Sequence, residues 1–242
     1  MPVYSGGKAK IGKEIAREIE KLEFKLNWKN KKYFEPFCGM LGVARHIVDS
    51  PVHGVRPRRV IANDANKDII LMWKKIKRGW NLPSKCCPRK KFLELKHSTV
   101  HSAERGFYGV ACTYSGIFYA GYRPQQHFFN RSRNSIIELS ECLPYISFNS
   151  KDYRKYNPKN MTIYCDPPYE NNKFYSEHFS DFDSDSFWET MRKWSKNNLV
   201  IISEYKAPSD FKCVWKKTLN STFGNKATKR VEKLFVHRSL LG

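Results

Sequence analysis

The chain has no long hydrophobic run. No stretch of about 18 or more apolar residues occurs, so a transmembrane helix is not predicted. Met1 is not followed by a basic and then apolar segment, which argues against a secretory signal. We therefore expect a soluble, intracellular protein that does not contact a membrane.

Paired cysteines and metal-ligand clusters are also missing. The 7 cysteines are scattered, odd in number and without a Cys-x-x-Cys pair, which argues against a disulfide framework and against a zinc site. His97 and His101 have the spacing of one helix face, but two ligands do not make a zinc site. We expect reduced core thiols and no bound metal.

Acidic residues are scarce relative to basic ones. Lys and Arg number 44 and Asp and Glu number 23, a net charge of +21. A surplus of this size predicts a polyanionic partner, with nucleic acid as the first candidate. A solubility adaptation or a membrane-surface patch would also be positive, but here the basic residues are interleaved with aromatics. That mixture suits phosphates together with bases.

Strand-like and helix-like segments alternate along most of the chain. Because alternating strands and helices form parallel sheets with helices on both faces, we predict a Rossmann-like, doubly wound, mostly parallel α/β fold. The length suits one domain with an insert. Residues 211–219 and 231–237 read as a closing hairpin. The other predicted strands are 32–37, 59–62, 146–148, 161–165 and 199–203, and the helices are 10–26, 42–48, 66–77 and 186–196.

The middle of the chain departs from this alternation. Residues 79–140 carry clustered Lys and Arg, and glycines punctuate an aromatic run at 107–122. No long helical period is visible there, so we predict an inserted target-recognition segment of short helices and loops. The catalytic domain would then consist of residues 1–78 and 141–242.

Distinctive residues follow three of the predicted strands. Gly39 ends the first, where a residue without a side chain lets the backbone approach a ligand. Asp64 ends the second, where a carboxylate can accept hydrogen bonds from ribose hydroxyls. Asp166 ends a later one. Because ligands bind outside the carboxyl ends of parallel strands, the three residues together indicate one crevice.

The residues after Asp166 give the strongest single signal. Two prolines and Tyr169 follow it. Proline has a fixed φ and no N–H, so the carbonyls of Asp166 and Pro167 have no evident ladder role and can face a ligand, while Tyr169 offers a stacking face. Simpler interpretations exist for single motifs: Asn63-Asp64 as an Asx turn or helix cap, and the prolines as a turn beside a surface carboxylate.

Four motifs in this order resemble the Dam-like DNA adenine-N6 methyltransferases, a family that includes many phage and viral enzymes. The resemblance spans residue 4 to about residue 210, where Ile202–Pro208 is similar to the family's final strand region. It implies a methyltransferase fold that uses S-adenosylmethionine. The motifs are Tyr-x-Gly-Gly-Lys (4–8), Phe-Glu-Pro-Phe-x-Gly (34–39), Asn-Asp-x-Asn-x-Asp (63–68) and Tyr-x-Asp-Pro-Pro-Tyr (164–169).

The resemblance implies roles for individual residues. Lys8 would reach the methionine carboxylate of the cofactor and Asp64 its ribose. Asp166 and the Pro167 carbonyl would hold the amino group of a flipped-out adenine, on which Tyr169 would stack. The full cofactor-binding set is Tyr4, Lys8, Phe37, Gly39, Asp64 and Asp166, and the catalytic set is Asp166, Pro167 and Tyr169.

This sequence departs from the family pattern in two places. Met40 and Leu41 follow Gly39, where family members usually carry small residues, so the backbone would approach the cofactor less closely. The insert has Tyr114–Phe118 where the family carries an Asn-Gly-Leu-Arg segment. The recognition sequence therefore cannot be read from the insert.

DNA, in duplex form, is the expected partner, and we expect a monomer or a weak dimer. Base and phosphate contacts are expected from the insert, whereas the basic residues near the hairpin turn would clamp phosphates or form a solvated loop. The candidate DNA-binding residues are Arg123, Arg131, Arg133, Lys226, Lys229 and Arg230.

Other functions stay open. An RNA base amino group could be the methyl acceptor, or the chain could be a non-catalytic nucleic-acid-binding protein that keeps a decayed methyltransferase fold. A protein-glutamine methyltransferase would normally carry Asn in place of Asp166 and would not explain the charge. A cytosine-C5 enzyme needs an activated thiolate, whereas Cys165 lies within a predicted strand where we expect burial.

Overall fold

The structure is a computed structural model that describes residues 8–29, 32–49, 57–168, 182–223 and 226–242, without the side chains of 115, 220–223 and 226–228. Within these ranges the strands are β1 Tyr33–Glu35, β2 Val60–Asn63, β3 Ile146–Asn149, β4 Thr162–Cys165, β5 Leu199–Ser203, β6 Phe211–Phe223 and β7 Lys226–His237. The α-helices are α1 Gly12–Lys25, α2 Ala44–Val48, α3 Lys67–Lys77, α4 Arg89–His97, α5 Ala103–Ala111, α6 Gln126–Glu138 and α7 Ser184–Ser195. Short 3-10 turns occupy Tyr114–Gly116, Leu139–Glu141, Leu143–Tyr145, Tyr153–Lys155 and Arg238–Leu240.

The strands form one sheet in the order β3-β2-β1-β4-β5-β7-β6. The first five are mutually parallel, and β7 closes the sheet antiparallel to β5. The predicted doubly wound, mostly parallel α/β fold is therefore confirmed. Chain order reverses between the neighbours β1 and β4, and in such sheets the crevice outside this switch point binds ligands.

Helices cover both faces of the sheet because side chains alternate along each strand. In β4, Ile163 and Cys165 pack in the apolar cluster beneath α7, whereas Tyr164 belongs to the cluster on the opposite face. All residues of β4 and β5 are buried, as expected for central parallel strands. Helix α3 begins where the Asn66 side chain accepts hydrogen bonds from the backbone amides of Asp68 and Ile69.

The predicted insert consists mainly of α4, α5 and α6. Its side chains Phe92, Phe107 and Phe129 share one apolar cluster with residues of α3. Helix α5 lies so close to α3 that a Cβ on Gly106 would stand 2.3 Å from the carbonyl oxygen of Asp68. The prediction of short elements was wrong for α6, which has 13 residues; its apolar stripe is interrupted by polar side chains. The domain boundaries at 79 and 140 stay a prediction.

The closing hairpin is longer than predicted. Strand β7 pairs with β5 at Phe235 and Leu234, but its pairing with β6 continues back to Lys226. Leu234 and Lys226 are eight positions apart, so at about 3.3 Å per residue the ribbon extends about 26 Å past the carboxyl edge of the sheet. We call residues 215–223 and 226–233 the hairpin arm.

The helices of the described ranges are all too short or too polar to cross a membrane.

Candidate active site

The candidate site lies at the carboxyl edge of the sheet, around the switch point between β1 and β4. Gly39 follows β1, Asp64 follows β2 and Asp166 follows β4. Lys8 lies before α1, and its carbonyl oxygen accepts hydrogen bonds from the first amides of that helix. Tyr4 and Tyr169 also belong to the predicted sets, but they lie outside the described residues. Phe37 and Pro167 are described below.

Gly39 and Asp64 are joined directly. One carboxylate oxygen of Asp64 accepts the Gly39 backbone N–H at 2.8 Å, and the other accepts the Asn66 N–H at 2.8 Å. Asp64 thus forms the Asx turn that its sequence allowed and also fixes the loop after β1. Burial raises its pKa, and the two amide hydrogen bonds oppose this. A carboxylate has about four acceptor positions, so two bonds leave room for ribose hydroxyls.

The loop after β1 needs unusual backbone conformations. Gly39 has a φ of +43° and Leu41 has a φ of +58°, and the side chain of Leu41 is fully buried. Gly42 follows and packs closely on the segment before α1, since a Cβ there would lie 3.1 Å from the Lys8 backbone nitrogen. A Cβ on Gly12 would stand 1.9 Å from the Gly42 carbonyl oxygen, so α1 starts in contact with this loop.

Asn63 ties the ends of three segments together. Its side-chain amide donates to the carbonyl oxygens of Pro36 at 3.0 Å and Lys151 at 2.9 Å. Its side-chain oxygen accepts the Lys151 N–H at 2.9 Å and the Tyr156 hydroxyl at 2.8 Å. All hydrogen-bonding positions of this buried amide are used, so Asn63 is a structural residue beneath Asp64.

Lys8 and Asp166 form a partly buried ion pair. The Lys8 Nζ donates to Asp166 Oδ1 at 2.7 Å, and the lysine side chain is only 4% exposed. Glu232 of β7 lies 3.7 Å from the same Nζ and is also buried. Sequence reasoning missed Glu232. The signal was present, because Glu232 is in phase with the core residues Leu234 and Val236 on one face of the strand.

Glu35 is a second carboxyl that had no predicted role. It is buried, and its Oε1 accepts a hydrogen bond from the Tyr33 hydroxyl at 2.8 Å. Burial raises the pKa of Glu35 to about 8, the charge of Asp166 acts in the same direction, and the Tyr33 hydrogen bond acts against it. At neutral pH Glu35 is therefore mainly protonated and adds no charge to the site.

The remaining described residues of the site are apolar or inert. Pro167 is buried, and the half-buried Phe37 ring lies 5.0 Å from that of Tyr153 in an aromatic cluster. Cys165 is fully buried, as predicted, and burial raises its pKa well above the ordinary value. Its sulfur contacts that of Met191 at 3.5 Å. It is not an activated thiolate.

Asp152, in the loop after β3, caps a 3-10 turn. It accepts the Arg154 backbone N–H at 2.9 Å and pairs with the Arg154 side chain.

Asp68, the last residue of the Asn-Asp-x-Asn-x-Asp motif, faces the insert. It accepts the Ser102 N–H at 2.8 Å and pairs with Arg105 and His101. His101 thus has a structural contact.

Two arginines predicted to contact DNA have different surroundings. The Arg123 guanidinium lies 3.0 Å from the centroid of the Phe128 ring and 5.4 Å from that of Tyr114, whose side chain is half exposed. Arg131 is exposed on α6. The pairing of a guanidinium with two rings is a surface suited to stacking on bases.

Arg133, also on α6, holds the insert together. Its Nε donates to the Pro83 carbonyl oxygen at 2.9 Å, and its guanidinium also contacts that of Leu82. Its charge remains near the surface, but its donors are directed at protein backbone. The remaining candidates belong to the hairpin arm, where Lys229 and Arg230 are exposed; of Lys226 only the backbone is described.

Across the described ranges, His, Cys, Asp and Glu side chains form no group of three able to hold a metal ion.

The strand order and the switch point define a doubly wound α/β fold, with acidic and glycine residues grouped at its ligand-binding edge. Residues 4–110 match the family model of the D12 class N6 adenine-specific DNA methyltransferases. The family resemblance predicted from the motifs is confirmed. The match ends before β4, so Asp166 and its two prolines lie outside it. Family and fold together imply S-adenosylmethionine as the methyl donor.

Similar solved structures are distant. One is a proposed RNA methyltransferase from Pyrococcus horikoshii, with 9% identity, a TM-score of 0.43 and coverage of 93% of this chain and 84% of that chain. Another is an rRNA methyltransferase from Streptomyces viridochromogenes, with 12% identity, a TM-score of 0.41 and coverage of 95% and 86%. A direct sequence comparison with curated proteins gives no match.

Proposed function

We propose that this protein transfers a methyl group from S-adenosylmethionine to the N6 amino group of adenine in DNA. The contact between Lys8 and Asp166 carries the proposal. Lys8 lies inside the segment that matches the adenine methyltransferase family, whereas Asp166 lies outside it, 158 positions later. Their 2.7 Å ion pair joins the two halves of the motif set at the switch point of the sheet.

The residues present fit the cofactor. Gly39 presents backbone without a side chain, Asp64 retains acceptor capacity for ribose hydroxyls, and Lys8 supplies a buried cation for a carboxylate. Two carboxylates, those of Asp166 and Glu232, lie close to the single positive charge of Lys8, and Glu35 is mainly neutral. The net charge of the pocket is therefore negative, which also favours a positively charged sulfonium. When bound, S-adenosylmethionine supplies an electrophilic methyl group.

Asp166 and Pro167 provide the chemistry that the acceptor needs. The lone pair of an adenine amino group is delocalised into the ring, which makes the nitrogen a weak nucleophile. The Asp166 carboxylate accepts one N6 hydrogen and the Pro167 carbonyl the other, which moves the nitrogen towards tetrahedral geometry. Lys8 holds the Asp166 carboxylate in one position. Catalysis then rests on orientation rather than on a reactive side chain.

The base must leave the duplex before it reaches this edge of the sheet. Flipping costs on the order of a few kcal/mol, and stacking on an aromatic ring returns about 1–3 kcal/mol. Tyr169 is the residue expected to provide the ring.

Two basic surfaces are positioned to bind DNA. The hairpin arm projects from the catalytic edge with Lys229 and Arg230 exposed, and a two-stranded ribbon has the dimensions of the major groove. The insert adds Arg123 stacked on Phe128, and the exposed Arg131. Phosphate neutralisation by these groups predicts binding that weakens steeply with salt.

Replacement of Asp166 tests the mechanism. We expect Asp166→Ala to retain S-adenosylmethionine binding in calorimetry and to lose methyl transfer to duplex DNA by about 100-fold or more. Asp166→Asn should retain part of the activity because its amide oxygen still accepts one hydrogen bond. Asp210→Asn is the matched control, because Asp210 pairs with Arg192 away from the site. Full activity of Asp166→Ala would contradict the mechanism.

The same assay distinguishes the substrates. Duplex DNA and structured RNA are compared side by side, and adenines methylated in a methylation-free host are mapped with their flanking bases. Faster methyl transfer to RNA than to duplex DNA would mean that RNA is the substrate. Absence of cofactor binding in the unmodified protein would favour a nucleic-acid-binding protein without activity.

A further inference from the structure

Glu232 brings a second carboxylate to the ammonium of Lys8. Its Oε2 lies 3.7 Å from the Lys8 Nζ, and Asp166 Oδ1 lies 2.7 Å from the same nitrogen. The side chains of Lys8 and Glu232 are only 4% and 9% exposed. Two carboxylates and one ammonium therefore form a largely buried group, which we call the Lys8 cluster.

The fold holds Glu232 in this place. It lies two residues beyond Leu234, which pairs with Ser203 of β5, and on the same face of β7 as this buried leucine. Its partner in β6 is Lys217, whose Nζ donates to Glu14 Oε2 at 2.6 Å. Glu14 is in the first turn of α1. The register of the sheet thus positions the Glu232 carboxylate, and Glu14 matches the charge of its strand partner.

Other charges beside the Lys8 cluster compensate each other. Glu204 is buried and its Oε1 accepts the Tyr205 N–H at 2.7 Å, while the Lys233 Nζ donates to the Tyr205 carbonyl oxygen at 2.9 Å. Tyr205 thus has one carboxylate and one ammonium next to it. Glu35 is mainly protonated at neutral pH. The Lys8 cluster itself has one positive and two negative charges, so its net charge is −1.

The methyl donor of the proposed reaction has the opposite net charge. S-adenosylmethionine carries a carboxylate, an ammonium and a sulfonium, so one net positive charge remains. S-adenosylhomocysteine, the product, keeps the carboxylate and the ammonium but has a neutral thioether, so its charges cancel. Because charges in a buried site are screened less than charges at the surface, a surplus carboxylate favours the donor over the product.

We propose that Glu232 is a specificity-determining residue through which the site selects the positively charged methyl donor over its neutral product. The charge of Asp166 is already compensated by its contact with Lys8, so the surplus comes from Glu232. Glu232 takes no part in methyl transfer itself. Its effect is on occupancy, because the neutral product leaves the negative charge of the site unmatched and a new donor displaces it. This inference rests on the proposed function, since it requires the cofactor to bind.

Calorimetry with both forms of the cofactor tests the proposal. We expect Glu232→Gln to weaken binding of S-adenosylmethionine by about 3- to 30-fold and binding of S-adenosylhomocysteine by less than about 2-fold, as for the loss of one charge interaction in a partly screened site. Glu232→Asp retains the charge and should keep the ratio of the two affinities. Glu14→Gln is the matched control, because it removes the same charge from a partly exposed pair with Lys217 and should leave the ratio unchanged.

The ratio separates charge selection from a structural role. Equal weakening of both ligands by Glu232→Gln, or no change in either, would overturn the role of Glu232 and leave the proposed function standing. If this variant does not fold, the unmodified protein decides, since it should bind S-adenosylmethionine more tightly than S-adenosylhomocysteine, and equal or tighter binding of the product would overturn the proposal. Failure of the unmodified protein to bind either ligand would refute the proposed function and this inference with it.

Discussion

The buried carboxyl of Glu35 should make the stability of this protein depend on pH in an unusual direction. Glu35 keeps its proton in the folded protein up to about pH 8, whereas its ordinary pKa is 4.5. Folding therefore takes up a proton between these values. The stability that Glu35 contributes is fully present below pH 4.5 and is lost as the pH rises to about 8.

The size of the effect follows from the shift. Each pH unit between the two pKa values is worth about 1.4 kcal/mol, so three units from pH 5 to pH 8 amount to about 4 kcal/mol. Glu35→Gln removes the titration but keeps an oxygen that can accept the Tyr33 hydroxyl. Relative to this variant, the unmodified protein should lose about 4 kcal/mol of unfolding free energy over that range.

Urea unfolding followed by tryptophan fluorescence, at several pH values and constant ionic strength, measures this difference. The 7 histidines are present in both proteins, so their contributions cancel. Tyr33→Phe provides a check. It removes the hydrogen bond that lowers the pKa of Glu35, so the dependence should extend to higher pH. A constant difference between Glu35→Gln and the unmodified protein from pH 5 to pH 8 would refute the reasoning.

Two packing contacts make further predictions. Gly12→Ala should cost about 1–3 kcal/mol of unfolding free energy because its Cβ would stand 1.9 Å from the Gly42 carbonyl oxygen. Gly42→Ala, with a nearest contact of 3.1 Å, should cost less in the same urea titration, and equal losses would contradict the close approach of α1. Asp68→Ala should cost about 3 kcal/mol, because it leaves the Ser102 N–H without its acceptor and Arg105 without its carboxylate partner. Limited proteolysis should then cut near residues 98–102 faster, whereas an unchanged rate would show that apolar contacts alone hold the insert.

The sequence predicted the sheet because its signals are local. A strand ending in Gly39, Asp64 or Asp166 carries its own apolar run and its own polar end, and the alternation with helices restricts the topology. The fold and the strand-end residues of the site followed from these patterns. The helix α6 was not predicted in full, because polar residues interrupt its apolar stripe and tertiary packing of Phe129 and Ile136 stabilises it instead.

Contacts between distant segments could not be predicted in the same way. Glu232 reaches Lys8 only because β7 pairs with β5 in one particular register, and Arg133 reaches the backbone at residues 82–83 only because α6 folds back on the loop before α4. Each of these depends on a tertiary arrangement rather than on spacing.

The register between β1 and β4 decides whether the site exists. Tyr33 pairs with Thr162 and Phe34 with Ile163, so continuing the register brings Asp166 next to the residues that lead to Gly39. A slip of one residue would exchange the faces of β4, placing Tyr164 against α7 and Cys165 on the opposite face. Both faces are filled by fitted apolar clusters, which penalise such a slip. The packing of β4 therefore also sets the position of Asp166 relative to Lys8, so the geometry of the candidate site depends on the packing of the core.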